Sequence, residues 1–97
     1  MSLSTRQKKH LRGLSHALQP VVIVAGKGLT ENVMAEIESA LDHHELVKIK
    51  LRVDRETRAA LVEEIANRCS AEKVHAIGQV ACYYRRNPEK PVIELPA

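Results

Sequence analysis

Tryptophan and phenylalanine are absent from this sequence, and tyrosine occurs only as Tyr83 and Tyr84. A core must therefore be built from Leu, Val, Ile and Ala, which supply nearly all of the 44% hydrophobic fraction. The same scarcity excludes an aromatic platform for stacking bases, which needs several rings on facing strands. Cysteine is limited to Cys69 and Cys82, in neither a CxxC pair nor a dense framework, which fits reduced thiols rather than disulfides. No run of about 18 apolar residues occurs, and Met1 to Leu18 is polar and basic without an apolar stretch. Neither a membrane span nor a secretory signal is supported, and a cytoplasmic location is expected.

Signatures of catalysis are missing too. Neither GxxxxGK[ST] nor a full GxGxxG is present, and Ser15-His16 and Glu63-Glu64 have no nucleophile elbow around them. His43-His44-Glu45, His75 and the two cysteines lack zinc-ligand spacing. The expectation is a protein that is not an enzyme and takes no cofactor, metal or small-molecule substrate. At 97 residues the chain suits a single domain spanning 1–97.

Acidic residues are unevenly distributed. Before Glu31 there is none, while Arg6, Lys8, Lys9, Arg12 and Lys27 are all positive. Glu31, Glu36, Glu38, Asp42 and Glu45 then follow with no Lys or Arg among them. Lys48, Lys50, Arg52, Arg55 and Arg58 make the chain basic again, offset by Asp54 and Glu56. The net charge of +3 is modest, but the first and third blocks would form a basic surface if the fold brings them together.

Ser4 and Gln7 read as a capping box for a helix to about Ala17, with Leu11, Leu14 and Leu18 on its buried side. Arg6 and Lys9 then lie opposite, with Lys8 and Arg12 on the flank. Val21 to Ala25 reads as a strand buried on both faces or nearly so. Thr30 caps a second helix striped by Val33, Met34, Ile37 and Leu41. Val47, Ile49, Leu51 and Val53 alternate with Lys48, Lys50 and Arg52, giving a strand with a wet, basic side. Asp54 caps a third helix to about Cys69, lined by Leu61, Val62, Ile65 and Cys69. Lys73 to Ile77 and Val80 to Arg85 form two strands joined at Gly78-Gln79, and a Val92 to Leu95 segment closes the chain.

The predicted fold is an α/β two-layer sandwich in the order α-β-α-β-α-β-β. Its four-stranded sheet is mixed but mostly parallel, with one antiparallel addition, and helices cover one face. The other face is left free to bind.

Gly26-Lys27-Gly28 lies between a strand and a helix N-terminus, where free backbone N–H groups and the helix dipole favour an anion such as phosphate. The GXXG loop of KH domains offers an analogy of mechanism, since it clamps nucleic-acid backbone beside a helix. Lys48, Lys50 and Arg52 project about 7 Å apart along their strand, a spacing suited to successive phosphates. Tyr83 and Tyr84 fall on opposite faces, one in the core and the other placed to stack on a base or cover the sheet. Arg85 and Arg86 either extend the basic surface or end the strand.

Taken in order, Leu3-Ser4-Thr5-Arg6-Gln7-Lys8, His10-Leu11-Arg12-Gly13-Leu14, Pro20-Val21-Val22, Gly28-Leu29-Thr30, Glu36-Ile37 and His44-Glu45-Leu46-Val47-Lys48 form an extended pattern. Asp54-Arg55-Glu56, Ile77-Gly78 and Tyr84-Arg85 continue it. This pattern resembles the CRM domain, named for chloroplast RNA splicing and ribosome maturation, and within that family the stand-alone bacterial YhbY-type proteins. The resemblance implies a fold like the C-terminal domain of translation initiation factor three. It also implies binding to ribosomal RNA in precursor large subunits and a role in ribosome assembly. Members carry a GxxG loop after the first strand, but Ala25 stands here where the first glycine is usual. Either that position takes ordinary dihedrals, or Gly26 makes the turn with a shifted geometry.

The expected RNA contacts are Gly26, Lys27, Gly28, Arg6, Lys8, Lys9, Arg12, Lys48, Lys50, Arg52 and Arg85. The competing expectation is an adaptor whose acidic second helix docks a basic ribosomal protein.

Overall fold

The computed structural model describes residues 3–97. The first helix, α1 (Thr5–Ser15), starts at the expected capping box: Gln7 N–H donates to Ser4 Oγ at 3.1 Å and Ser4 N–H to Gln7 Oε1 at 3.0 Å. β1 (Pro20–Val24) leads to α2 (Glu31–His44), where Val33 N–H donates to the Thr30 hydroxyl. β2 (Leu46–Leu51) is followed by α3 (Arg55–Cys69), capped by Asp54 through Thr57 N–H at 2.8 Å. This bond and a second from the Thr57 hydroxyl hold the Asp54 carboxyl below its usual pKa. β3 (Glu72–Ile77) and β4 (Val80–Tyr84) form the hairpin at Gly78-Gln79, with Gly78 left-handed at φ +57°.

The strands lie in the order β1-β2-β4-β3. β1, β2 and β3 share one direction and β4 runs against them, so the one antiparallel addition is as expected. It sits inside the sheet, however, between β2 and β3, which corrects the expectation of mostly parallel pairing. Among the described residues β1–β2 pairs parallel, and β2–β4 and β4–β3 pair antiparallel because the hairpin places its second strand next to β2.

α2 and α3 cover one face of the sheet. Ile37 and Leu41 from α2 and Val62 and Ile65 from α3 pack on Val22, Val24, Val47, Ile49, Leu51 and Tyr83. Each fully buried aliphatic side chain here contributes about 1.5–3 kcal/mol. Tyr83 has no exposed surface, and its hydroxyl donates a 2.7 Å bond to the carbonyl of Val62, so its polar end is satisfied.

The expectation of helices on one face holds for α2 and α3 and is corrected for α1. That helix lies on the opposite face, where Leu11 meets Leu46, Val74, Cys82 and Tyr84. The physical reason is that alternate residues of β2, β3 and β4 give this face its own apolar patch, and the α1 stripe needs a partner. Tyr83 and Tyr84 are on opposite faces as expected, but both are buried, so neither is available to a base. β1 is buried on one side only, because Val21 and Ile23 are each 51% exposed.

The chain after β4 returns across the α1 face and is tied down by Glu45. This residue has no exposed surface and a left-handed backbone at φ 62°. Its carboxylate accepts the backbone N–H groups of Asn87 at 2.6 Å and of Val92 and Ile93 at 2.7 Å each. Gln7 of α1 holds the far end by donating to the carbonyl of Pro96. Ile93 and Leu95 pack at the edge of the α1 cluster.

Candidate nucleic-acid interface

The Gly26 loop closes as a tight turn, with Gly28 N–H donating to the Ala25 carbonyl at 2.8 Å. Gly28 carries the left-handed backbone at φ +72°, whereas Ala25 and Gly26 have ordinary negative φ. Of the two alternatives for Ala25, the first is therefore the case. The Gly28 and Thr30 amides are bound to the carbonyls of Ala25 and Gly28. Among the described residues, the amides of Gly26, Lys27 and Leu29 have no intramolecular acceptor and remain available. Gly28 thus shapes the turn, and its own N–H is not free for a phosphate. Glu31 in the first turn of α2 already supplies the negative charge that the helix dipole favours, so the anion position belongs to the loop rather than to the helix end.

β2 brings its cations to the same end of the sheet. Arg52 N–H donates to the Val24 carbonyl at 2.7 Å, which sets Arg52 beside the start of the loop and exposes its side chain. Lys50 and Lys48 lie on the α1 face and are half-buried rather than fully wet: α1 and the tail share the Lys48 end of that face, and Lys50 is flanked by Ile23 and Val80 on the neighbouring strands.

α1 adds its cations from above. Lys8, Arg12 and His16 recur at i, i+4 along one stripe, with Arg6 and Lys9 beyond it on the exposed side. The meeting point of the two basic blocks is His75 on β3. Burial first, and then the charges of Arg12, Lys48 and His16, hold its imidazole below its usual pKa. Ser15 Oγ donates to the Arg12 carbonyl at 2.7 Å and lies 3.4 Å from His75 Nε2. With the hydroxyl hydrogen committed, Nε2 is the donor in that contact. Nothing in the sequence pattern gives His75 a place among the RNA contacts, since its strand carries one Glu and one Lys and no cationic alternation.

Among the described residues, none of Arg6, Lys8, Lys9, Arg12, Lys27, Lys48, Lys50 and Arg52 forms an ion pair. The cations that are paired lie elsewhere. Arg68 binds Glu64, Lys73 binds Glu63, and Arg85 binds Glu38 and Asp42. Arg85 therefore separates from the other expected contacts. Its guanidinium also donates to the Cys69 carbonyl at 2.8 Å, and it works as a clasp between α2 and the end of α3 on the other side of the sheet.

The remaining chemistry is quiet. Cys69 and Cys82 are free and buried in the two separate clusters on either side of the sheet. Burial raises both thiols to about 11, so they stay protonated near neutral pH. No helix among the described residues is long and apolar enough to cross a membrane.

Residues 3–85 match the CRS1 / YhbY (CRM) domain family. The chain is 48% identical over 96 residues to an "RNA-binding protein" of Haemophilus influenzae, covering 98% of this chain and 96% of that one. It is 46% identical over 90 residues to a "Probable RNA-binding protein" of Pseudomonas aeruginosa, covering 92% and 86% respectively. A solution structure from Staphylococcus aureus, described as a candidate RNA binding protein, superposes with a TM-score of 0.83 at 30% identity and covers 98% of this chain and all of its own. The fold, the loop after β1 and these likenesses agree, and the chain belongs to the CRS1 / YhbY (CRM) domain family.

Proposed function

We propose that this protein binds RNA through the backbone, acts by binding rather than by catalysis, and serves large-subunit ribosome assembly in the cytoplasm. The observation that carries the RNA reading is the division of its cations. Among the described residues, those on α1, the Gly26 loop and β2 with the residue after it are all unpaired and share one side, while on the opposite side Arg68, Lys73 and Arg85 are paired with carboxylates and Arg55 and Arg58 of α3 are not. Unpaired cations held together are what a polyanion needs, since each phosphate contact releases a condensed counterion. The names of the relatives support RNA as the polyanion. The assignment to precursor large subunits rests on the family resemblance.

In this reading Lys27 and the free loop amides hold one phosphate, Arg52 and Lys50 the next, and Lys48 with Arg12 a third. Arg6, Lys8 and Lys9 extend the path along α1. Arg85 is left out because its donors are used internally. The adaptor alternative loses ground for the same reason, since Glu38 and Asp42 are engaged with Arg85 and only part of the α2 acidic face is free.

The test is a Lys27→Ala, Arg52→Ala double variant, whose side chains are both exposed, so that folding is spared. Affinity for single-stranded RNA should fall, and the slope of log affinity against log salt should flatten by about 1.4, at about 0.7 for each phosphate no longer neutralised. An unchanged slope would remove the loop from the interface. Crosslinking in cells with sequencing of the bound RNA addresses the ribosomal part, and crosslinks scattered over unrelated transcripts would reject it.

A further inference from the structure

α1 does not cover its whole face of the sheet. The row formed by Ile23, Lys50, Val80 and Ile77 runs across all four strands, since Ile23 pairs with Lys50, Lys50 with Val80 and Val80 with Ile77. It lies beyond the row under α1, where Ser15 meets His75 and where His75, Cys82 and Lys48 are partners. The two rows are about 7 Å apart. Ile77 is 72% exposed and Ile23 51%, while Val80 and Lys50 are half-buried. Strand propensity does not require isoleucine at these places, because threonine serves a pleated surface as well without exposing so much hydrocarbon. Of the exposed large apolar residues, Ile23 and Ile77 share this line, whereas Leu14, Val21 and Val92 lie off it around a separate groove beside α1.

What borders the row decides its occupant. On one side lie Arg52 and the Gly26 loop with Lys27, and on the other Lys48, Arg12 and His16 around His75. Lys50 stands within the row itself. A second copy of the chain would bring like charges against one another on both borders, and a neutral apolar peptide would leave them uncompensated. A single strand of RNA satisfies both, because its phosphates meet the cationic borders and its unpaired bases offer flat, weakly hydrated faces. Duplex RNA keeps its bases stacked inward and cannot present them here.

We propose that the Ile23–Lys50–Val80–Ile77 row is a base-contact platform for single-stranded RNA, with aliphatic side chains taking the part that aromatic rings play on other four-stranded RNA-binding sheets. The proposal rests on the RNA-binding reading above and adds the class of RNA and the site of its bases. Lys27 and Arg52 hold the backbone as it enters, and the bases turn in towards the sheet. The affinity so gained is apolar and therefore independent of salt, unlike that of the cations. Sequence preference is weak, because hydrocarbon contacts read no hydrogen-bonding edge.

The test uses the full chain with an Ile23→Thr, Ile77→Thr double variant. Both positions are exposed and threonine keeps the β-branched shape, and circular dichroism verifies the fold. Binding to a mixed-sequence single-stranded RNA oligomer and to a duplex of the same length is measured over a range of salt. The variant should bind the single strand about tenfold more weakly, a smaller effect than removal of aromatic stacks would have, with an unchanged salt slope and unchanged duplex affinity. Ile77→Phe should bind the single strand more tightly than the parent. Equal single-strand binding by the parent and both variants overturns the platform but leaves the phosphate contacts standing, provided the Lys27, Arg52 variant is still weakened. Equal weakening for single strand and duplex also overturns it. So does a parent dimer that the threonine variant abolishes, since a second copy would then be the occupant. A parent that binds neither RNA defeats the RNA-binding reading and the platform with it.

Discussion

The guanidinium of Arg85 donates a 2.7 Å hydrogen bond to the carboxylate of Glu38, joining the end of β4 to the middle of α2. Asp42 at 2.8 Å and the Cys69 carbonyl at 2.8 Å complete the clasp. The Asp42 carboxylate is well exposed and contributes little, whereas the bonds to Glu38 and Cys69 are partly shielded. Arg85→Ala should therefore cost about 2 kcal/mol of stability, as expected for hydrogen bonds to a charged group. RNA affinity and its salt slope should not change at temperatures where the variant is folded. Chemical denaturation and salt-dependent binding on the same preparation separate the two effects. A flattened salt slope would return Arg85 to the interface.

Gly26 and Gly28 should respond differently to alanine. Gly28 has a left-handed backbone, which a Cβ opposes at a cost of about 1–2 kcal/mol, so Gly28→Ala should lower stability by that amount. Gly26 has an ordinary φ and open space where a Cβ would go, so Gly26→Ala should fold normally. If the phosphate rests on the Gly26 and Lys27 amides, the added methyl stands in its way, and RNA affinity should drop about tenfold without loss of stability. Thermal melts paired with binding curves show whether the two glycines divide these roles.

His75 makes stability and binding respond oppositely to pH. In the folded protein its pKa lies below the usual 6.5, through burial and the charges of Arg12, Lys48 and His16. As pH falls, the unfolded chain takes up the proton first, so the contribution is complete above about pH 6.5 and is lost as pH drops towards the folded value. Bound phosphates would offset the neighbouring cations and raise the pKa again, so RNA affinity should increase as pH falls through the imidazole range. His75→Gln should reduce both trends. NMR titration of the His75 ring with and without RNA gives the two pKa values directly, and a ring that titrates identically in both would exclude phosphate near β3.

Glu45 anchors the tail by accepting three backbone donors in a site closed to water. Glu45→Ala leaves those donors without an acceptor and should cost about 3 kcal/mol or more. The amides of Val92 and Ile93 should exchange with solvent far faster than in the parent. Exchange rates that stay slow would show that apolar packing of Ile93 and Leu95 alone holds the segment.

The local parts of this fold could be read from the sequence because short-range chemistry determines them. Ser4 with Gln7, Thr30 and Asp54 announce three helix starts, and the alternation of Val47, Ile49 and Leu51 with Lys48 and Lys50 identifies β2. What stayed hidden depends on partners far along the chain. Lys48 and Lys50 imply a wet face, yet Cys82, Val74 and Tyr84 from other strands make much of that face apolar and draw α1 onto it. The Leu11 stripe shows that α1 is buried without showing where. Arg85 reads as one more cation beside Arg86, because Glu38 and Asp42 lie more than forty residues earlier. Glu45 belongs to a run of acids and differs only in directly preceding a buried strand. Of the interface, the cation blocks and the glycine loop were visible, whereas the division of labour between Gly26 and Gly28 needed the backbone.

The place of β4 in the sheet bears on how the molecule comes into being. β2 and β3 never touch each other as strands, and each is held by β4, which is made after both. A nascent chain that has emerged only as far as Ile77 can pair β1 with β2 but leaves β3 without a neighbour. Closure of the sheet waits for Tyr84, and the Glu45 site waits longer still for Ile93. Assembly is thus a late event that engages most of the chain at once, and long-range pairing of this kind folds more slowly than local structure.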